Sequence, residues 1–320
     1  MTPQDKQTLL DWNARQKAPV KLSLSGDAGD AKQVLAQFCD RLQSLAPVIE
    51  KRPAPDDPFR SPAIIVGRHE NIAFQAAPQG RELVSFLKAM ESDSECPSDT
   101  PENLSEQCGR IELPAELVLF ITMQCPHCPT AVVELASIAN ASPHIRLTVI
   151  DGMLFSDKAE VHDIRSVPTL IMDDQIRWTG RIKVAEVVQQ CIDRDPTQLS
   201  AASLRQIIES GEAAKASAMM IRHGALFPAL IDLLVSERWS VRLGAMVTVE
   251  YLAAEAPGLA EGLVAPLWDR FDELDEPVQG DVVQVLAQID CDAARECLNR
   301  VASGDYPASV VEVAEEELGD

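Results

Sequence analysis

Four consecutive residues, Cys125-Pro126-His127-Cys128, combine residue types and spacing suited to dithiol chemistry. Two thiols three positions apart read as a redox pair, as half of a zinc site or as coincidence, and only context separates the three. Here the first cysteine follows the apolar run Leu117 to Thr122 (LVLFIT), which is of buried-strand type. It also heads a helical pattern that carries Val132, Val133, Leu135, Ala136, Ile138 and Ala139. A thiol at such a junction lies near unpaired backbone N–H groups and the positive end of the helix dipole. Both favour thiolate, the attacking form, and reactive cysteines in such sites have pKa values of about 3.5 to 7.5. Cys125 is therefore expected to attack, and Cys128, one turn further in and better shielded, to resolve the mixed disulfide. Pro126 suits the first helical turn. His127 would add a hydrogen bond or, when protonated, a charge beside the thiolate. Zinc would need two more ligands, but His144 and His162 are isolated, and Cys96 and Cys108 stand twelve positions apart in a linker-like stretch. No metal and no cofactor is expected beyond a reversible Cys125–Cys128 disulfide.

Around this motif the elements alternate. A strand is expected at Ile145 to Asp151, a short helix around Asp157 to Ile164, and a closing helix from Lys183 to Ile192. Thr169 to Met172 and Ile176 to Thr179 read as two strands joined by an Asp173-Asp174 turn. The preceding residues repeat this order more faintly: strand Val20 to Leu24, helix Ala31 to Leu45, hairpin Ala63 to Val66 and Ile72 to Phe74, helix Arg81 to Met90. Pro62 and Gly80 stand in the first copy where Pro168 and Gly180 stand in the second, which marks an internal repeat. The first copy carries Ser25-Gly26-Asp27-Ala28 in place of the cysteine pair and should lack the chemistry.

Composition changes twice along the 320 residues, and two or three domains are expected from length alone. Glu91 to Arg110, rich in Ser, Pro, Asp and Glu, reads as a solvated connection. After Asp193-Arg194-Asp195-Pro196 the pattern turns helical, with apolar helices opening at Trp239-Ser240-Val241-Arg242, Pro277-Val278 and Pro307-Ala308. Stacked HEAT or armadillo-type pairs would give that spacing, and so would a plain helical bundle. The expected domains are 1–95 without active cysteines, 96–195 with them, and a HEAT-like helical domain at 196–320. The net charge of −22 repels phosphate backbones and anionic lipid surfaces, which argues against nucleic-acid and membrane partners. No 18-residue apolar run and no secretory leader pattern stand in the sequence, so a cytoplasmic protein is expected.

The order β-α-β-α-β-β-α around the cysteines is that of a thioredoxin-type fold. The motifs Cys125-x-x-Cys128-Pro129, Ile150-Asp151-Gly152-Met153-Leu154-Phe155, Val167-Pro168-Thr169, Gly180-Arg181 and Pro78-x-Gly80-x-Glu82 make the resemblance narrower. Residues 18–194 resemble the N-terminal domain of the alkyl hydroperoxide reductase flavoprotein subunit and the archaeal-type protein disulfide oxidoreductases. The resemblance implies an α/β fold of two tandem thioredoxin-like halves with only the second active. It implies Cys125 as the attacking and Cys128 as the resolving cysteine. It also implies a cis Pro168 facing them, with the Val167 backbone free to pair with an extended substrate; a trans, strand-initiating proline is the alternative. Thioredoxins carry a buried Asp six residues before the first cysteine, where this chain has Leu119. Glu82 matches a glutamate that the family brings from its inactive half, and it would supply the missing base; otherwise it is an exposed acid at a helix start.

Unlike the family flavoproteins, the sequence continues into helices and shows no dinucleotide-type glycine loop, so a separate electron donor is expected. The leading expectation is a thiol–disulfide oxidoreductase that takes electrons from a thioredoxin-reductase-like flavoprotein and passes them to protein disulfides such as a peroxiredoxin's. Its helical domain would bind a protein partner. The Pro-His pair between the cysteines is that of the periplasmic disulfide-forming oxidase, so an oxidase or isomerase is one alternative. A redox-controlled adaptor is the other.

Overall fold

A computed structural model describes residues 1–53, 61–91 and 104–319. The chain divides into two compact units, Met1–Asp193 and Arg194–Asp320. The first is α/β and the second all-helical among the described residues.

In the first unit the elements run α1 (Pro3–Arg15), β1 (Val20–Ser25), α2 (Asp30–Leu45), β2 (Ile49–Arg52), β3 (Ala63–Val66), β4 (Ile72–Gln75) and α3 (Arg81–Met90). They continue as α4 (Leu104–Cys108), β5 (Ala115–Ile121), α5 (Cys128–Ala141), β6 (Ile145–Asp151), α6 (Ser156–Val161), β7 (Thr169–Met172), β8 (Ile176–Thr179) and α7 (Val184–Ile192). The strands form one eight-stranded sheet in the order β2-β1-β3-β4-β6-β5-β7-β8. Each half thus contributes the same local order, and the halves meet where β4 pairs in parallel with β6, Ile72 against Leu147 through Gln75 against Ile150. Residues 1–95 and 96–195 therefore share a single sheet, and they share a core as well. Leu22, Leu35 and Phe86 from the first half lie in one apolar cluster with Leu117, Leu135 and Val149 from the second. Phe86 packs edge-on against Phe74, ring centroids 4.9 Å apart, beside the seam where α3 meets α5. Burying such a ring contributes about 1.5–3 kcal/mol.

The strands with unbroken apolar runs, AIIV in β3 and TLIM in β7, are buried along their whole length. Three elements fall outside the sequence reading. α1 is polar overall, but its capping box between Thr2 and Asp5 starts it, and only Leu9 and Trp12 carry its apolar face into the core. β2 has one buried residue, Ile49, and so shows no strand period. α4 lies inside the stretch read as solvated: Leu104 and Cys108, four apart on one face, are buried, and the helix packs on α5 and α7. The Cys96 position falls outside the described residues.

The second unit consists of α8 (Ala201–Glu209), α9 (Ala213–His223), α10 (Pro228–Leu234), α11 (Trp239–Glu255), α12 (Pro257–Ala260), α13 (Val264–Trp268), α14 (Glu276–Ile289), α15 (Asp292–Ser303) and α16 (Ala308–Gly319). The Arg242 side chain is buried and its Nε donates to Asp281 Oδ2 at 2.6 Å, which ties α11 to α14. Its Nη1 donates to the Ser236 and Glu237 carbonyls, so the buried charge meets a carboxylate and two backbone oxygens. Gly244 of α11 sits against α8, where an added Cβ would come 2.3 Å from Ile208 Cγ2. That methyl is fixed close to a helical backbone and cannot swing away. Gly244→Ala should therefore lower stability by about 1–2 kcal/mol despite alanine's better helix propensity, read as a fall in the urea midpoint. No helix among the described residues is long and apolar enough to cross a membrane.

Candidate active site

Parallel register gathers the site. β5 runs parallel to β6 with Ile121 opposite Asp151, and β4 runs parallel to β6 with Gln75 opposite Ile150. Three strand ends therefore emerge at one edge of the sheet, and the loops that follow them meet there. The loop after β5 carries the cysteines. The loop after β4 leads into α3 and brings Glu82 across from the other half.

Cys125 is half-buried, whereas Cys128 is fully buried and begins α5. The Cys128 backbone N–H donates to Cys125 Sγ at 3.2 Å. The Cys125 thiol lies 3.7 Å from the Val167 carbonyl oxygen, so the sulfur touches both the helix start and the proline loop. Both residues are free thiols. Burial pushes the Cys128 thiol well above its ordinary range, and the hydrogen bond with Cys125 and the charges of Cys125 and Glu82 push the same way. The buried partner is thus held protonated.

The Val167–Pro168 peptide bond is cis. The loop around it is pinned from both sides: the Thr169 hydroxyl donates to the Ser166 carbonyl at 2.8 Å, and the Gly180 N–H donates to the Pro168 carbonyl at 2.9 Å. Gly180 has φ +82°, a turn conformation that favours glycine. His127 stands exposed as the residue before α5, and no hydrogen bond from its ring reaches Cys125 among the described residues. The donor that meets the sulfur is backbone.

Glu82 is not an exposed helix-start acid: it is 2 % exposed. Its Oε2 accepts from the Ser85 hydroxyl at 2.8 Å, and its Oε1 has no hydrogen-bond partner among the described residues. Burial pushes its carboxyl up to about 7, against the pull of Ser85 and with added push from the Asp151 charge. Asp151, at the end of β6, is buried too and accepts from the Met153 N–H at 3.0 Å; burial also raises its carboxyl. The approach of Glu82 depends on α1, which sequence reading missed. Asp5 Oδ1 of that helix accepts the Gly80 N–H at 2.9 Å, just ahead of α3. Leu119 is buried and apolar, so the position six residues before Cys125 supplies no acid.

Beside the cysteines an open groove of about 790 Å³ runs along α5 and the proline loop, lined by His127, Ala131, Val167, Pro168, Arg181 and Lys183 among others. Among the described residues no cluster of three or more His, Cys, Asp or Glu is arranged to hold a metal ion.

The family model described as a thioredoxin domain matches residues 116–193. Among curated relatives, the F subunit of alkyl hydroperoxide reductase from Pseudomonas aeruginosa is 27% identical over 214 residues, which are 64% of this chain and 41% of the relative. Its Escherichia coli counterpart is 24% identical over 256 residues, 76% of this chain and 48% of the relative. The chain thus spans less than half the length of these relatives. Among solved structures, the N-terminal domain of the same reductase from Enterococcus faecalis superposes with a TM-score of 0.51 at 21% identity, covering 60% of this chain and 99% of that one. A protein disulfide oxidoreductase from Aeropyrum pernix gives 0.52 at 15% identity, covering 62% and 95%. With the sheet order and the cysteine geometry, these findings place residues 116–193 in the thioredoxin domain family and give Met1–Asp193 the tandem thioredoxin-like fold of the alkyl hydroperoxide reductase flavoprotein's N-terminal domain, here followed by a helical unit.

Proposed function

We propose that the chain is a dithiol relay that takes electrons from a thioredoxin-reductase-like flavoprotein and reduces disulfides of other proteins, a peroxiredoxin's among them, through Cys125 and Cys128. The observation that carries this reading is the asymmetry of the pair: Cys125 half-exposed with an N–H on its sulfur, Cys128 buried with its thiol pushed up. The Cys125 thiolate attacks one sulfur of the substrate disulfide, forming a mixed disulfide and releasing the first substrate thiolate. Cys128 then gives its proton to the Glu82 carboxylate and attacks Cys125, which releases the second substrate thiolate. Two electrons have left the dithiol, Cys125 and Cys128 are joined, and the flavoprotein returns the pair to the reduced state. Val167 would hold the substrate backbone, with Pro168 shaping the loop. No cofactor besides the disulfide is needed in the chain itself. The helical unit, read as HEAT-like, would bind a protein partner, and the whole would work in the cytoplasm in maintaining cell redox balance.

Cys128→Ser tests the reading. It leaves the attack by Cys125 intact and removes resolution, so it should hold client proteins as mixed disulfides that dithiothreitol releases. A trap that captures nothing, together with wild-type protein that does not reduce insulin, would favour a redox-controlled adaptor instead. Direction is decided by the reduction potential of the pair: about −270 mV fits reduction and about −120 mV fits oxidation or isomerisation, to which the Pro-His pair points.

A further inference from the structure

We infer that the groove beside Cys125 selects disulfides carried on acidic segments, with Arg181 as the residue that reads the acid. This rests on the reductase reading above and names its substrate class. The chain as a whole carries −22, so an acidic partner meets general repulsion. The groove departs from that balance. Its charged lining is Arg181, Lys183 and Glu134, with the titratable His127, so it is positive where the chain as a whole is negative. Arg181 and Lys183 are exposed. Lys183 is engaged with Glu186 at 2.7 Å, an open surface pair that a substrate carboxylate could exchange with at little cost. Arg181 directly follows Gly180, whose N–H is fixed to the Pro168 carbonyl. The guanidinium is therefore carried on the turn after β8, which that hydrogen bond ties to the loop that meets Cys125 through the Val167 carbonyl.

Between those charges the wall is apolar, from Ala131, Val167, Pro168 and Ile182. Such a groove fits an extended peptide. Its backbone would run past Val167 with a cysteine at Cys125, its apolar side chains would cover the wall, and an acidic side chain would reach Arg181. The recognition is of a carboxylate beside a disulfide, and the occupant is a segment of a folded or flexible protein, not a small thiol compound.

The test uses the full chain and three peptide disulfides of equal length whose cysteine is flanked by Asp, Asn or Lys, with insulin and oxidised glutathione as comparison substrates. The Asp peptide should have a kcat/KM about fivefold above the Lys peptide at low ionic strength, the size that exposed charge pairs give, and the gap should close as salt is added. The difference should lie in KM. Arg181→Glu should reverse the order of the three peptides, Lys183→Glu should weaken the preference in the same sense, and Lys17→Glu, the same charge change at an exposed position outside the groove lining, should leave the order alone. Equal rates for the three peptides, or an order that survives Arg181→Glu, would overturn the assignment while insulin turnover kept the reductase reading standing. Oxidised glutathione consumed faster than any peptide would also overturn it, in favour of a small disulfide as occupant. Absence of turnover on every disulfide, insulin included, would overturn the reductase reading and this inference with it.

Discussion

Cys125→Ser should abolish insulin-disulfide reduction, by on the order of 10³-fold or more, the scale seen when a covalent nucleophile is removed. A serine hydroxyl does not attack disulfides at neutral pH, so the remaining chemistry would have to come from Cys128. The structure gives reasons why it cannot. Cys128 is fully buried, so a substrate disulfide does not reach its sulfur. Its thiol is pushed up by burial, by Cys125 and by the Glu82 charge, so little thiolate forms near neutrality. Removing Cys125 takes away one of these pushes and leaves the other two. Cys128 in the variant should therefore be inert to iodoacetamide in the native state, whereas the wild-type dithiol should be alkylated rapidly and at Cys125. Peptide mapping after brief alkylation is the check. Modification of Cys128 in the native Cys125→Ser variant, at a rate near that of Cys125 in the wild type, would show that exposure and burial are not what separates the two thiols.

The features that made the site legible in the sequence are local. A strand of buried type, a cysteine pair and a helix follow one another in the chain, and Val167-Pro168 stands directly before its hairpin, so each was visible within a few residues. The helical unit was legible for the same reason, since proline-headed apolar helices announce themselves locally. What was not legible depends on pairings between distant residues. That the two halves form one sheet follows from β4 pairing with β6, Ile72 against Leu147, and no local pattern dictates that register. α1 was hidden because only two of its apolar residues, Leu9 and Trp12, are fully buried, while its capping box was the signal that could have found it. α4 was hidden by its polar surroundings, with Leu104 and Cys108 too few to give a period. Family likeness marks Glu82 as a candidate base but leaves its burial open between two readings. Its burial comes from the seam between the halves, and its placement from the Asp5 carboxylate that holds Gly80 ahead of α3.

Glu82→Gln should make the protein slower and more stable at the same time. In the fold the carboxyl is pushed up to about 7, from an ordinary value of 4.5, first by burial and then by the Asp151 charge. Near neutrality it exists in both forms, which is the condition for taking the Cys128 proton during resolution and giving it back on reduction. Glutamine keeps the shape and the hydrogen bond to Ser85 but cannot take a proton. Resolution of the mixed disulfide should slow by about 10²-fold, the low end of what a positioned acid–base group contributes, and the limb of the pH–rate profile near pH 7 should disappear. The stability effect has the opposite sign. A carboxyl whose folded pKa is raised binds more protons folded than unfolded between pH 4.5 and about 7. The wild type is therefore not penalised below the lower value and loses stability as pH rises through the upper one. The loss amounts to about 3 kcal/mol, since each pKa unit corresponds to about 1.4 kcal/mol. Glutamine carries no such penalty. Urea unfolding should find the variant more stable than wild type by about that amount at pH 8, with the two converging below pH 4.5. A variant no more stable than the wild type at pH 8 would mean that Glu82 is not charged in the fold at that pH. A variant with the wild-type pH–rate profile would mean that Cys128 loses its proton to some other group.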